Sequence, residues 1–192
     1  ERAKKSQEMV MELLIADQPD RATAHDPDSR FWQQADLVGV NSSRYPASEK
    51  PVVDNSHIAM AVNLDACINC NLCVRACREV QVNDVIGMSY RGNKAQITFD
   101  FDTEMGASTC VACGECVQAC PTGALMPANL LDDTGALNLV ADRIVNSVCP
   151  FCGVGCQTEV HIKDDKIIKV DGRPGPANEN RMCVKGRFGF DY

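Results

Sequence analysis

Apolar residues in the opening stretch, ERAKKSQEMVMELLIA, recur at intervals of three and four. That period predicts an amphipathic helix over residues 1–16, with Val10, Leu13 and Leu14 on one face and Pro19 ending it. From 17 to 57 the period disappears. The stretch is polar, carries Pro19, Pro27, Pro46 and Pro51, and reads as loop apart from a short helix around Phe31 to Val38. Two later stretches alternate apolar and polar positions. VNDVIGMSYRGNKAQITFDFD does so about Arg91-Gly92-Asn93-Lys94, and TEVHIKDDKIIKVDG about Asp164-Asp165, so each predicts a hairpin. His161 lies on the second alternation and is expected to face solvent. Residues 127–148 read as a crossing linker with a short helix or strand. GRPGPANENRMCVKGRFG, after the second hairpin, is a loop rich in glycine and proline.

Between these elements lies a repeat. CINCNLCVRACREV (67–80) and CVACGECVQACPTG (110–123) share one cysteine spacing, and each is followed by a short extended stretch. A different set, CPFCGVGC, runs from 149 to 156, and a last cysteine arrives at 183. Twelve cysteines in 192 residues would suggest a disulfide scaffold in a small secreted protein. Here they stand two or three residues apart, too close for most to pair with sound disulfide geometry. All twelve read as ligands of compact inorganic centres, which implies a reducing compartment.

C-x2-C-x2-C-x3-C is the spacing of a bacterial-type ferredoxin, in which the fourth cysteine serves the other cluster. Three cysteines two apart wrap three corners of a cubane in a tight loop. A short helix then begins at the third, placing Cys73 and Cys77 on one helical face. The assignment is Cys67, Cys70, Cys73 and Cys120 to one [4Fe–4S] cluster, and Cys110, Cys113, Cys116 and Cys77 to a second. Arg78 stands where Pro121 follows the second block, a mild departure. Zinc is the alternative, since C-x2-C pairs are common in zinc sites, but zinc gives no reason for three cysteines at consecutive x2 gaps, twice in one chain. Cys149, Cys152, Cys156 and Cys183 form the third set. Gly153 and Gly155 let the backbone fold closely around a centre, and the hairpin returns the chain to Cys183. These four are assigned to a third [4Fe–4S] cluster.

The formal charge of −7 and the lack of a basic run or an aromatic stacking series give no support to nucleic-acid binding. The longest apolar run, Met9 to Ala16, is broken by Glu12 and is too short to span a bilayer. Only one Trp, three Tyr and six Phe are present, so cohesion must come largely from elsewhere. The chain opens on Glu1 and is expected to be a piece of a longer protein.

CPFCGVGC followed by MCVKGRFGFDY resembles the start of the catalytic part of molybdenum- or tungsten-bis-pterin formate dehydrogenases. The repeated block resembles the electron-transfer part of the same large subunit in the NAD-linked cytoplasmic type. The resemblance is strong from residue 58 onward and weaker before. It implies an α+β fold: a ferredoxin-like two-[4Fe–4S] domain, then a small hairpin-rich [4Fe–4S] subdomain that begins the pterin-binding catalytic domain. The expected divisions are 1–57, an N-terminal helix and a cysteine-free remnant of a cluster-binding segment; 58–146, the two-cluster domain; and 147–192, the start of the molybdopterin oxidoreductase domain. The implied cofactors are three [4Fe–4S] clusters, a Mo or W bis-pterin guanine dinucleotide in the full-length protein, and FMN and NAD in a partner subunit. The implied partners are that flavin- and NAD-binding subunit and the remainder of the catalytic subunit, with no nucleic acid and no membrane span.

In that family Lys185 would lie between the third cluster and the pterin and help couple them; taken alone it is an ordinary surface lysine. Family members often carry a further cysteine-ligated cluster after a helix like MELLIAD. Here QPDRATAHDPDSRFWQQADLVGV has no cysteine, so that cluster should be missing and the segment should be a structured remnant. Gln18 stands where such members often have His. His25 is a lone histidine in a polar loop, and His57 and His161 read as surface or packing residues. No residue is a candidate for the ligand of the catalytic metal, and none forms an acid–base pair. The full-length complex would oxidise formate, with this stretch as its wire. The alternatives are the iron–sulfur subunit of an NADH dehydrogenase or NAD-reducing hydrogenase, which shares this layout, and a polyferredoxin-type electron carrier.

Overall fold

The structure, a computed structural model, describes residues 1–49 and 51–190. Helix α1 spans Arg2–Ala16 and α2 spans Arg30–Val38. The Ser29 hydroxyl accepts from the Trp32 N–H to start α2, and Gly39, at φ +80°, closes it in the left-handed conformation that glycine adopts without strain. The face of α1 that packs is Met11, Leu14 and Ile15, against Phe31, Trp32 and Ala35. This corrects the sequence expectation: Leu14 is shared, but Val10 and Leu13 are 56% and 49% exposed. Two stripes on this helix are apolar, and the position of α2 decides which one is covered. Phe31 and Trp32 meet edge to face at 5.2 Å, a contact that makes two of the few aromatic rings the centre of a small separate core.

The repeated blocks share a second and larger core. Strand β1 (Met60–Val62) precedes the first block and pairs antiparallel with β4 (Leu125–Pro127), which follows the second; Met60 faces Pro127 and Val62 faces Leu125. Strands β2 (Ile86–Ser89) and β3 (Gln96–Phe99) form the first expected hairpin, with Gly92–Lys94 in its connection. Helix α3 (Leu72–Arg75) begins one residue before Cys73 and widens at once into a π turn, Ala76–Val80. Helix α4 (Glu115–Ala119) begins one residue before Cys116. Met60, Val62, Val85, Ile86, Ile97, Phe99, Met105 and Leu125 are buried around Cys73, Cys77 and Cys116.

The last sheet has three strands, in the order β5 (Arg143–Val148), β6 (Gln157–Lys163), β7 (Lys166–Gly172). The hairpin at β6–β7 turns on Asp164 and Asp165, both at positive φ, the backbone that matches the twist of paired strands in a two-residue loop. Strand β5 comes from the stretch read as linker. It makes β6 the central strand, and His161 is 12% exposed, packed by Lys169 and Asp171, rather than facing solvent. Helix α5 (Val184–Phe188) follows Cys183 directly.

Candidate metal centres

The two repeated loops have the same backbone. Asn69 and Asn71 in the first, and Ala112 and Gly114 in the second, occupy corresponding places between the cysteines, and all four have positive φ. Asparagine and glycine take this conformation readily; Ala112 takes it at a cost. In this winding the Asn69 N–H donates to Cys67 Sγ and the Ala112 N–H to Cys110 Sγ, both at 3.4 Å. A third amide, Val85 N–H, donates to Cys77 Sγ at 3.3 Å. Amides aimed at sulfur favour its anionic form.

The sulfurs sort into three sets. Burial pushes the Cys67 thiol up to about 11, and the charges of Cys120 and Cys70 add to it. Burial pushes Cys73 up to about 12, with Cys67, Cys120 and Cys70 acting on it next. These four line one small pocket, partly open to solvent, together with Ile68, Ile97 and Leu125. Burial also raises Cys110, on which the Cys77 charge then acts, and Cys113, on which Cys110 and Cys77 act. Cys116, wholly enclosed, is raised well above the ordinary value by burial, then by Cys113 and Cys110. Cys77, Cys110, Cys113 and Cys116 line a second small pocket with Met60, Val85 and Ile86. Cys73 also acts on Cys116, so the two sets approach each other where α3 packs on α4.

In the third set Cys149 is buried, Cys156 half-buried, and Cys152 and Cys183 exposed. Burial raises Cys156, and Cys149, Cys152 and Cys183 are the charges that add to it. The Cys149 N–H donates to the Cys156 carbonyl at 2.8 Å, closing the loop on itself. Among the described residues no three His, Cys, Asp or Glu side chains converge on a single metal ion. Four sulfurs gathered on one small pocket form a donor set suited to an iron–sulfur core, so the first two sets fit the group that their spacing implies.

The cysteine-free N-terminal segment is folded, and it packs on the loop of the first set. Gln18 is buried and donates through Nε2 to the Ala66 carbonyl at 3.0 Å. The Phe31 N–H donates to the Pro121 carbonyl at 2.9 Å, next to Cys120. His25 is not in an open loop: its Nε2 lies 3.0 Å from Asp65, and its Nδ1 lies 3.2 Å from the Gly135 carbonyl. His57 is half-buried, with Nδ1 accepting from the Ala59 N–H at 3.1 Å. Lys185 is exposed on α5, two residues after Cys183.

A buried cluster that the sequence reading missed joins the second set to the third. The Arg187 side chain, 5% exposed, donates from Nε to the Cys113 carbonyl at 2.8 Å, from Nη1 to Asp171 at 2.8 Å, and from Nη2 to Glu115 and Gln118, both at 2.7 Å. Glu115 also accepts from the Met182 N–H at 2.8 Å, and Gln81 donates to the Met182 carbonyl at 3.0 Å. Gly114 makes room for it: a Cβ there would overlap Arg187 Cδ and lie 2.7 Å from Nε. The available signals were an acid between two cysteine ligands and an arginine four residues after Cys183, and neither departs from a surface pattern.

Two segments of the chain match known families. Residues 66–124 match the family model of the 4Fe-4S dicluster domain, and residues 142–192 match that of the molybdopterin oxidoreductase Fe4S4 domain. The chain is thus similar in its middle to iron–sulfur dicluster domains and at its end to the Fe4S4 domain of molybdopterin oxidoreductases. Among curated relatives, a protein of Staphylococcus haemolyticus named "Putative formate dehydrogenase" is 28% identical over 201 residues, covering 86% of this chain and 20% of that protein. A Staphylococcus aureus protein of the same name matches with the same identity and coverage. The chain therefore spans about one fifth of the length of the curated relatives it matches. A chain of an NAD+-reducing [NiFe]-hydrogenase, solved in the H2-reduced state, has a similar fold, with a TM-score of 0.58 at 20% identity over 67% of this chain and 56% of that one.

Proposed function

We propose that this chain is the electron-transfer part of a formate dehydrogenase, carrying three [4Fe–4S] clusters. The observation that carries the reading is the partition of twelve thiols into three sets of four, two of them each lining one small pocket within the segment matched by the dicluster family. In this reading residues 1–57 are a cysteine-free remnant, 58–146 hold two clusters and 147–192 hold the third. Each cluster, when bound, carries one electron at a potential set by hydrogen bonds, charge and burial. Cys67, Cys70, Cys73 and Cys120 hold the first; Cys110, Cys113, Cys116 and Cys77 the second; Cys149, Cys152, Cys156 and Cys183 the third. The amides of Asn69, Val85 and Ala112 point at ligand sulfurs and favour the more negative, reduced state. Ile97 and Leu125 line the first site and Val85 and Ile86 the second, giving each an apolar wall on its inner side.

Formate oxidation belongs to a molybdenum or tungsten bis-pterin guanine dinucleotide held mainly by sequence outside these 192 residues. Lys185 is the cation we assign to the gap between the third cluster and the pterin. Electrons leave through the first two clusters to a partner subunit with FMN and NAD, in the cytoplasm. No helix among the described residues is long and apolar enough to cross a membrane. The test is an iron and sulfide count on anaerobically purified protein. About twelve irons are expected; about four or about eight would reject three cubanes. A second reading, the iron–sulfur subunit of an NAD-reducing hydrogenase or NADH dehydrogenase, is favoured by the fold of the hydrogenase chain. Formate-dependent bleaching of the clusters in the full-length protein supports the first reading; bleaching only by NADH or H2 supports the second.

A further inference from the structure

We propose that Arg187 is the positioning residue that locks the second and third cluster sites together and sets the potential of the second. The inference rests on the three-cluster reading above. The arginine sits on α5, and its own N–H donates to the carbonyl of Cys183 at 3.2 Å. Its guanidinium reaches the carbonyl of Cys113 at 2.8 Å. One residue therefore touches a ligand of each site, through its main chain at Cys183 and through its guanidinium at Cys113, and the guanidinium also holds Glu115, which accepts from the Met182 N–H beside Cys183.

The surroundings make the charge consequential. Arg187 and Glu115 are buried, and Asp171 is half-buried between Arg187 and Lys169, whose Nζ lies 2.7 Å from Asp171. His161 lies 4.0 Å from Asp171 on its other side. Arg187 and Lys169 balance Glu115 and Asp171, so the network is neutral. Without the guanidinium, two carboxylates face one ammonium beside the loop of the second site. An unpaired negative charge in a poorly screened place opposes the arrival of an electron, so the potential must fall. The planar fork also holds Glu115, which in turn holds the Met182 N–H just before Cys183. Loss of the fork should loosen the third site against the second.

The experiment is a redox titration followed by electron paramagnetic resonance on anaerobically purified wild type, Arg187→Gln and Arg187→Lys, with iron counted in each. Wild type must first show three clusters; if it does not, the reading of the function fails and this inference falls with it, whereas three clusters that do not respond to Arg187 overturn this inference alone. In Arg187→Gln the second cluster should become at least tenfold harder to reduce, about 59 mV for one electron, and the magnetic interaction between the second and third clusters should weaken. Arg187→Lys keeps the charge and loses the fork, so it should restore the potential but not the interaction. If Arg187→Gln loses iron, a loaded Arg187→Lys with wild-type potential and weakened interaction sustains the proposal. Full iron with unchanged potential and unchanged interaction in Arg187→Gln overturns it, as does an Arg187→Lys that shifts the potential as far as Gln.

Discussion

Replacing Gly114 by alanine should cost far more than the loss of a flexible backbone position. Gly114 has φ +74°, where an L side chain costs about 1–2 kcal/mol. The new methyl would also occupy the place of Arg187 Cδ. An arginine on the surface would swing aside, but this one is fixed by four hydrogen bonds to Cys113, Asp171, Glu115 and Gln118. Displacing it breaks a buried ion pair and leaves Glu115 uncompensated, at about 3–5 kcal/mol. The total is about 4–7 kcal/mol. Gly39→Ala is the control, because Gly39 has φ +80° and open space around its Cβ direction, so it should show the backbone cost alone. In urea, at a slope of about 2 kcal/mol/M, the difference moves the unfolding midpoint by about 2 M. The double variant Gly114→Ala/Arg187→Ala should cost much less than the sum of the single changes. Coincident midpoints for Gly114→Ala and Gly39→Ala would refute the idea that a clamped arginine fills the space beside Gly114.

Two further outcomes follow from the thiols. Cys120→Ala should remove the cluster bound by Cys67, Cys70 and Cys73, while Cys77→Ala should remove the one bound by Cys110, Cys113 and Cys116; iron falls to about eight in each case, and paramagnetic resonance tells which signal is gone. Loss of the cluster in the variant's own block would reverse the crossed assignment. In cluster-free protein, burial holds Cys67 and Cys73 at about 11 and about 12 against an ordinary 9.0, so the folded state keeps protons that the unfolded state releases. Their stabilisation is complete below pH 9 and is lost as pH climbs to 12. At about 1.4 kcal/mol per pH unit for each thiol, Cys73 alone contributes on the order of 4 kcal/mol to that loss. Denaturant midpoints should drop between pH 8.5 and 11, and Cys73→Ser should drop less; equal slopes would contradict the burial argument.

The repeated cysteine loops, both hairpins and both N-terminal helices were legible because each rests on local spacing. Four thiols in eleven positions, an alternation about Asp164-Asp165, or apolar residues at three and four apart say the same thing wherever the chain goes. What failed depended on neighbours. The covered face of α1 was set by α2, which brings Phe31 and Trp32 to Met11, Leu14 and Ile15. His161 was placed in solvent because it lies on an alternating strand, but Lys169 and Asp171 of the neighbouring β7 enclose it. His25 looked isolated because Asp65 and Gly135 are far from it in sequence. The Arg187 cluster joins residues about seventy positions apart, and local pattern carries no trace of such a meeting.

Strands β1 and β4 lie side by side, so the chain enters and leaves the two-block unit through one doorway, with Met60 opposite Pro127. Anything added outside that doorway lengthens the protein without moving a cysteine within it. The outer segment that covers the first loop is therefore free to differ in its ligands while the interior keeps its spacing. A module built this way is portable: it can be set between unlike neighbours, and only its docking side chains need to change.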